Sequence, residues 1–251
     1  MKTLVVIVLI SLMSMPAAFA QQGKKASKRV ASIEKVQINS DAVGYTFMFD
    51  FTHGKRHNRP SFAIWIEDMQ GNYMQELFVT QSFGRGEFRY GAESDGKWVP
   101  GERRYQSVLP YYIHKRALGL ELADMVPSPK NPVADAYTGA TPKASFSLNT
   151  KSENKLMRQF RVLIEINQAW DVNDFWYSGK FPDDPDYRAS CQPSLVYAVE
   201  VNTDVLMDVY YFTPIGHGHY SGKDGRLYTD LSGFTTALQI FPRIKMQVLN
   251  Q

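Results

Sequence analysis

Apolar and polar residues alternate over Val43–Phe51, with Val43, Tyr45, Phe47, Phe49 and Phe51 on one face and Gly44, Thr46, Met48 and Asp50 on the other. A period of two marks a strand with one buried face. Val30–Ile38 alternates more weakly and predicts a partner strand, reached through the turn Asn39-Ser40-Asp41. His53–Pro60 is charged and ends in proline, which predicts an exposed loop. Phe62–Ile66 is apolar at every position, the pattern of a strand covered on both faces. A turn at Gly71-Asn72 returns the chain through Tyr73, Leu77 and Val79, giving a hairpin in the interior of the fold.

Beyond it, Gln81–Gly101 is polar and glycine-rich and predicts a long loop. Tyr105, Val108, Leu109, Tyr112, Ile113 and Arg116 recur at spacings of three and four, so a short amphipathic helix is expected within Glu102–Leu118. Pro110 costs about 3 kcal/mol inside a helix, so the helix starts near it or breaks there. Pro127, Pro129 and Pro132 stiffen the approach to the polar stretch Asp135–Pro142, DAYTGATP. Strands are expected at Ala144–Leu148 and Phe160–Asn167, with a turn at Lys151–Asn154, and then a surface excursion over Trp170–Arg188, aromatic, acidic and broken by Pro182 and Pro185. Leu195–Val201 and Leu206–Phe212 predict a second hairpin across Asn202-Thr203-Asp204, followed by the glycine-rich loop GHGHYSGKDG and a last strand, Leu238–Leu249, interrupted by Pro242. About nine strands with one short helix and long loops make an all-β chain, an antiparallel Ig-like β-sandwich in a single domain over residues 30–251.

The N-terminus changes where this domain is expected to work. Lys2, the apolar run Thr3–Met15 and Ala18-Phe19-Ala20 have the form of a secretory signal cleaved before Gln21. Residues 21–29 then form a basic, flexible leader, and no later segment approaches the roughly 20 residues of a transmembrane helix. The mature chain is therefore expected to be soluble and periplasmic or secreted. A hydrophobic content of 44% with 13% aromatic residues supplies a core. A net charge of +3, without a basic stripe interleaved with aromatics, gives no reason to expect nucleic-acid binding. Cys191 is the single cysteine, so no intramolecular disulfide forms; it reads as a buried small hydrophobe, an intermolecular link or a reactive thiol.

Candidate chemistry gathers in two places. In Asp135–Pro142, Asp135 and Thr138 are suited to capping a tight turn, with Gly139 at positive φ and Thr141 beginning a strand. Asp135, Thr138, Gly139, Ala140 and Thr141 also match Asp-x-x-Ser/Thr-Gly-Ala-Thr, so the stretch resembles the attachment motif of periplasmic FMN-binding proteins. The resemblance implies FMN joined by a phosphoester to Thr141, with Asp135, Thr138 and Gly139 around it; Pro142 stands where that family continues with Ser or Thr. His217 and His219 are two residues apart in a flexible loop and can reach one metal ion if His114, Asp224 or a carboxylate of Asp183–Asp186 completes the site; otherwise they are hydrogen-bonded loop residues.

The succession FAIWIEDMQGNYMQELFV, RRYQSVLPYYIHKR, DAYTGATP and FRVLIEIN, spanning Phe62–Asn167, resembles the periplasmic domain-of-unknown-function 2271 family. That resemblance implies an Ig-type sandwich working beside flavin- and iron-linked membrane redox systems. No G-x-S-x-G elbow occurs and the acids are scattered, so no catalytic residue is assigned. The expectation is an exported, non-enzymatic binding or accessory protein of a redox or metal-uptake system, with a protein partner or a small ligand. The alternatives are a redox carrier with FMN on Thr141 and a metal-binding protein using His217 and His219.

Overall fold

The computed structural model describes residues 33–249; the expected signal and basic leader lie outside the described residues. Four strands come first: β1 (Glu34–Gln37), β2 (Thr46–Thr52), β3 (Ser61–Glu67) and β4 (Tyr73–Thr80). Helix α1 (Gln81–Arg85) and the ribbon of β5 (Glu87–Ser94) and β6 (Lys97–Glu102) follow, then helices α2 (Pro110–Arg116) and α3 (Leu122–Met125) and the two-residue strand β7 (Thr138–Gly139). Strands β8 (Phe146–Lys151) and β9 (Gln159–Asn167), helix α4 (Pro185–Ser190), and strands β10 (Leu195–Asn202), β11 (Tyr210–Tyr211), β12 (Thr213–His217) and β13 (Arg243–Leu249) complete the domain.

The result is an all-β sandwich. One sheet has the order β1-β8-β2-β13-β11 and the other β12-β10-β9-β3-β4-β7, while β5 and β6 pair only with each other. Pairing is antiparallel except for β1 with β8 and β4 with β7. The alternation of β2 sends Phe47, Phe49 and Phe51 inward, where they meet Phe62 and Ile64 of β3 and Phe160, Val162 and Ile164 of β9. Phe51 sits at the centre of an aromatic knot, with ring centroids 4.5 Å from Phe146, 5.1 Å from Phe241 and 5.5 Å from Phe62. Burying each such ring contributes about 1.5–3 kcal/mol.

As the unbroken apolar run implied, β3 is covered on both faces: Phe62, Ile64 and Ile66 join the inter-sheet core, while Ala63 and Trp65 join a second cluster outside it. That outer cluster is sealed by α2, which starts at Pro110. Proline at the first helical position gives up no hydrogen bond and presets φ.

Four expectations change in the structure. β1 pairs with β8 rather than with β2, because β8 occupies the edge of β2 that the short Asn39–Asp41 turn would have filled. Gln81–Gly101 contains α1 and the β5–β6 ribbon, whose Asp95-Gly96 turn takes φ values of 52° and 70°; Asp-Gly in that conformation is a hairpin signal that the surrounding glycines obscure. Tyr210–Tyr211 crosses to β13 in the opposite sheet, so the partner of β10 on that side is β12. The last strand begins only after Pro242, preceded by a 3-10 turn at Ala237–Gln239. The excursion after Trp170 is also anchored, since Trp176 and Tyr187 are buried while Trp170, Phe175 and Tyr177 are exposed. Cys191 is buried at the C-cap of α4 with φ of 67°.

Replacing Phe51 with alanine should cost about 3–5 kcal/mol, because the sandwich closes only partly around the lost ring. Tyr90→Ala on the exposed ribbon should stay within about 0.5 kcal/mol. Urea unfolding of the two variants measures the contrast.

Candidate functional site

Strand β9 has two buried faces with different contents. Phe160, Val162, Ile164 and Ile166 point into the sandwich, while Glu165, one position out of phase, lies on the α2 side opposite Ala63 and Val196. Its carboxylate is fully buried and accepts the N–H groups of Tyr111 (3.1 Å) and Tyr112 (2.6 Å) and the hydroxyl of Ser194. Tyr111 and Tyr112 lie in the first turn of α2, where the N–H groups have no intrahelical acceptor. Leu109 at the N-cap offers no side-chain oxygen, so a strand far away in sequence supplies the cap.

Gly218 packs on the same carboxylate. A Cβ there would come within 2.5 Å of Pro110, 2.8 Å of Ser194 Oγ and 3.0 Å of Glu165 Oε1. Only glycine lets the loop between the two histidines lie on the cap.

The last turn of α2 is held by two further acids. Glu76 accepts from Arg116 Nε (2.5 Å) and from the Tyr112 hydroxyl (3.0 Å). Glu67, fully buried, accepts from Trp65 Nε1 and Arg161, each at 3.0 Å, with Lys115 Nζ at 3.8 Å. Burial pushes the Glu67 carboxyl up, against the pull of Trp65, Lys115 and Arg161. Breaking a buried pair of this kind by removing one partner costs about 3–5 kcal/mol.

Between the β3–β4 turn and the end of α2 lies a cleft of about 600 Å³. Gln70, Gly71, Asn72 and Tyr73 form one wall, and His114, Lys115 and Arg116 the other. Leu118 and Met125 add apolar surface, and Leu118 is 87% exposed. Lys115 Nζ donates to Gly71 O at 2.8 Å and so ties one wall to the other.

The residues singled out in the sequence occupy other places. His217 ends β12, stacks on Tyr228 with ring centroids 5.3 Å apart, and has Nδ1 2.7 Å from Gly218 O. His219 accepts the Ser221 N–H at Nδ1 (3.1 Å) and meets Tyr228 from another side at 5.9 Å. Burial holds both imidazoles below the ordinary value. The fold brings His114, Asp224 and Asp184 into the electrostatic surroundings of His219. The acids are engaged there: Asp224 accepts from Tyr228 and Arg226, and Asp184 caps α4 and pairs with Lys223. Among the described residues, no group of three or more His, Cys, Asp or Glu is placed to hold a metal ion.

Asp135 pairs on the surface with Arg85, and the Thr138 hydroxyl lies 3.4 Å from Asp135 O. Gly139 is not at positive φ; it is required because a Cβ would come within 2.6 Å of the Phe78 ring. Thr141 does not begin a strand. It is half-buried ahead of buried Pro142, and β8 starts only at Phe146. β7 and β12 are opposite edges of the six-stranded sheet, five strand spacings or about 24 Å apart, so this stretch and the histidine loop do not share a site. β7 pairs with Val79 and Thr80, the end of β4 away from the cleft, so about 20 Å of strand separates the two. A flavin on Thr141 would not be seated in the cleft.

Sequence reading missed Glu165 and Glu67. The signal that marks them is an acid within or directly after an apolar run, VLIEI and FAIWIE. No protein-family model, curated protein sequence or solved structure matches the chain.

Burial pushes the Glu165 carboxyl from the ordinary 4.5 up to about 7, against the pull of Ser194 and the two amides. The folded chain then holds this proton more tightly than the unfolded chain. The group's stabilising contribution is complete below pH 4.5 and declines as pH rises through about 7. Glu165→Gln should remove this slope, so that wild type loses on the order of 3 kcal/mol relative to the variant between pH 4.5 and 7.5. Denaturant melts across that range measure it; a wild type that gains on the variant with rising pH contradicts the assignment.

Proposed function

We propose that the chain is an exported, non-catalytic β-sandwich protein that binds a small polar molecule in the cleft between the β3–β4 turn and α2. The supporting observation is the cleft itself, about 600 Å³ in volume, with Lys115 and Arg116 on one wall and Gln70 and Asn72 opposite, the Asn72 side chain being held by Asp68. Its size is within the range of small-molecule sites. The donors favour a ligand rich in oxygen acceptors, and Leu118 and Met125 favour one with an apolar portion. The charges of Lys115 and Arg116 are already balanced by Glu67 and Glu76, so the ligand need not be strongly anionic.

The engagement of the acids in α2 supports a binding role over a hydrolytic one. Glu67, Glu76 and Glu165 each accept hydrogen bonds that fix α2. The resemblance of Phe62–Asn167 to a periplasmic family with redox associations supports a place as an accessory of such a system.

Thermal-shift screening of small oxygenated metabolites, followed by calorimetry, tests the reading. A binder should stabilise the wild-type chain saturably and should lose at least tenfold in affinity in Asn72→Trp and Leu118→Asp, roughly 1.4 kcal/mol or more. Stabilisation that survives both substitutions places binding elsewhere. Coexpression with a periplasmic flavin transferase is the matching control: the intact mass should not change. A mass increase that disappears in Thr141→Ala would replace this reading with the flavin carrier.

A further inference from the structure

The cleft beside α2 presents hydrogen-bond acceptors as well as donors. His114 Nε2 lies 3.2 Å from Gly222 O. A carbonyl can only accept, so the neutral imidazole carries its proton on Nε2 and keeps the lone pair of Nδ1. Among the described residues Nδ1 has no hydrogen-bond partner, and it is not buried. Gly225, which also lines the cleft, sits against the same edge of the ring: a Cβ there would come within 2.3 Å of His114 Cβ and 3.5 Å of Nδ1. Glycine at 225 therefore leaves that edge without a covering side chain.

On the opposite wall Asp68 fixes the orientation of Asn72. Its Oδ2 accepts from Asn72 Nδ2 at 2.7 Å and its Oδ1 from the Asn72 N–H at 2.8 Å. The donor end of the amide is turned to Asp68, so Asn72 Oδ1 is the end left to accept. Donors stand beside these two acceptors. Lys115 Nζ gives one of its three N–H groups to Gly71 O, and Arg116 gives Nε–H to Glu76, with its terminal nitrogens in addition.

We propose that the ligand of this cleft is a neutral polyhydroxylated molecule of the monosaccharide class, with one hydroxyl donating to His114 Nδ1 and others accepting from Lys115 and Arg116. This deepens the cleft reading above and rests on it. A hydroxyl donates and accepts, whereas a carboxylate or phosphate only accepts and would set its oxygens against the lone pairs of His114 and Asn72. An ammonium only donates and would meet Lys115 and Arg116. Those two cations are already paired with Glu67 and Glu76, which weakens their pull on an anion. Leu118 and Met125 offer apolar surface to the C–H face of a sugar ring.

Calorimetry with glucose, galactose, mannose, ribose and xylose, set against succinate, glucose 6-phosphate and N-acetylglycinamide, tests the class. A neutral sugar should bind saturably and more tightly than the other three probes, and Asn72→Trp should abolish its binding. His114→Gln keeps a donor in reach of Gly222 O and removes the Nδ1 acceptor. It should weaken the sugar about tenfold and leave the melting temperature unchanged. The deoxy sugar lacking the hydroxyl that meets Nδ1 should lose the same factor in wild type and nothing further in His114→Gln. Tighter binding of succinate, glucose 6-phosphate or N-acetylglycinamide that disappears in Asn72→Trp overturns the sugar class and keeps the cleft. Sugar binding indifferent to Asn72→Trp overturns both. Sugar affinity unchanged in His114→Gln, or no saturable binding of any of the five sugars, overturns the proposal.

Discussion

The Glu165 carboxylate holds the outer layer of this protein to its sheet. A seven-residue helix such as α2 is too short to persist alone, and its open first-turn amides would otherwise have to be satisfied by water in a buried setting. Glu165 satisfies two of them at once, holds Ser194 just ahead of β10, and leaves space that only a glycine at 218 can occupy. Helix, sheet and histidine loop therefore meet at one carboxylate. Its raised pKa reflects the cost of keeping a charge there.

Beneath this layer the sandwich is conventional in its physics. Phenylalanines from β2, β3, β8 and β9 pack together between the sheets, with aliphatic residues of the same strands around them. The outer face of the six-stranded sheet is different: three acids, Arg161 and the tyrosines of α2 form a network in which every carboxylate has a donor. These hydrogen bonds and ion pairs tie both the first and the last turn of α2 to the sheet. The cleft depends on that fixity, because its two walls are the end of α2 and the turn bound to it through Lys115.

The strands with strong periodicity were legible from residues alone. β2, β3, β4, β9 and β10 carry either clean alternation or runs apolar on both faces, and a short helix that starts near Pro110 or breaks there follows from its spacing and from the proline; the structure starts it at Pro110. Pairing was less legible. β1 and β11 are short and weakly patterned, so their neighbours are decided by which sheet edge is free rather than by their own residues. The Asp95-Gly96 turn was hidden because glycine serves loops and hairpins alike. In the DAYTGATP stretch, chemistry and architecture use the same small residues: Gly139 is explained by the Phe78 ring against it, and Thr141 lies in irregular chain rather than at the head of a strand.

By itself the sequence determined the class of fold and much of the inter-sheet core from the strongly patterned strands, because these follow from periodicity; it also placed Val43 on the buried face, where the structure leaves it exposed because β2 starts only at Thr46. Only the tertiary structure decided what the polar residues do. Glu165 and Tyr112 are 53 residues apart, Glu76 and Arg116 are 40 apart, and Arg161 and Glu67 are 94 apart. A buried carboxylate is tolerated only where distant donors converge on it, and no local pattern records that convergence.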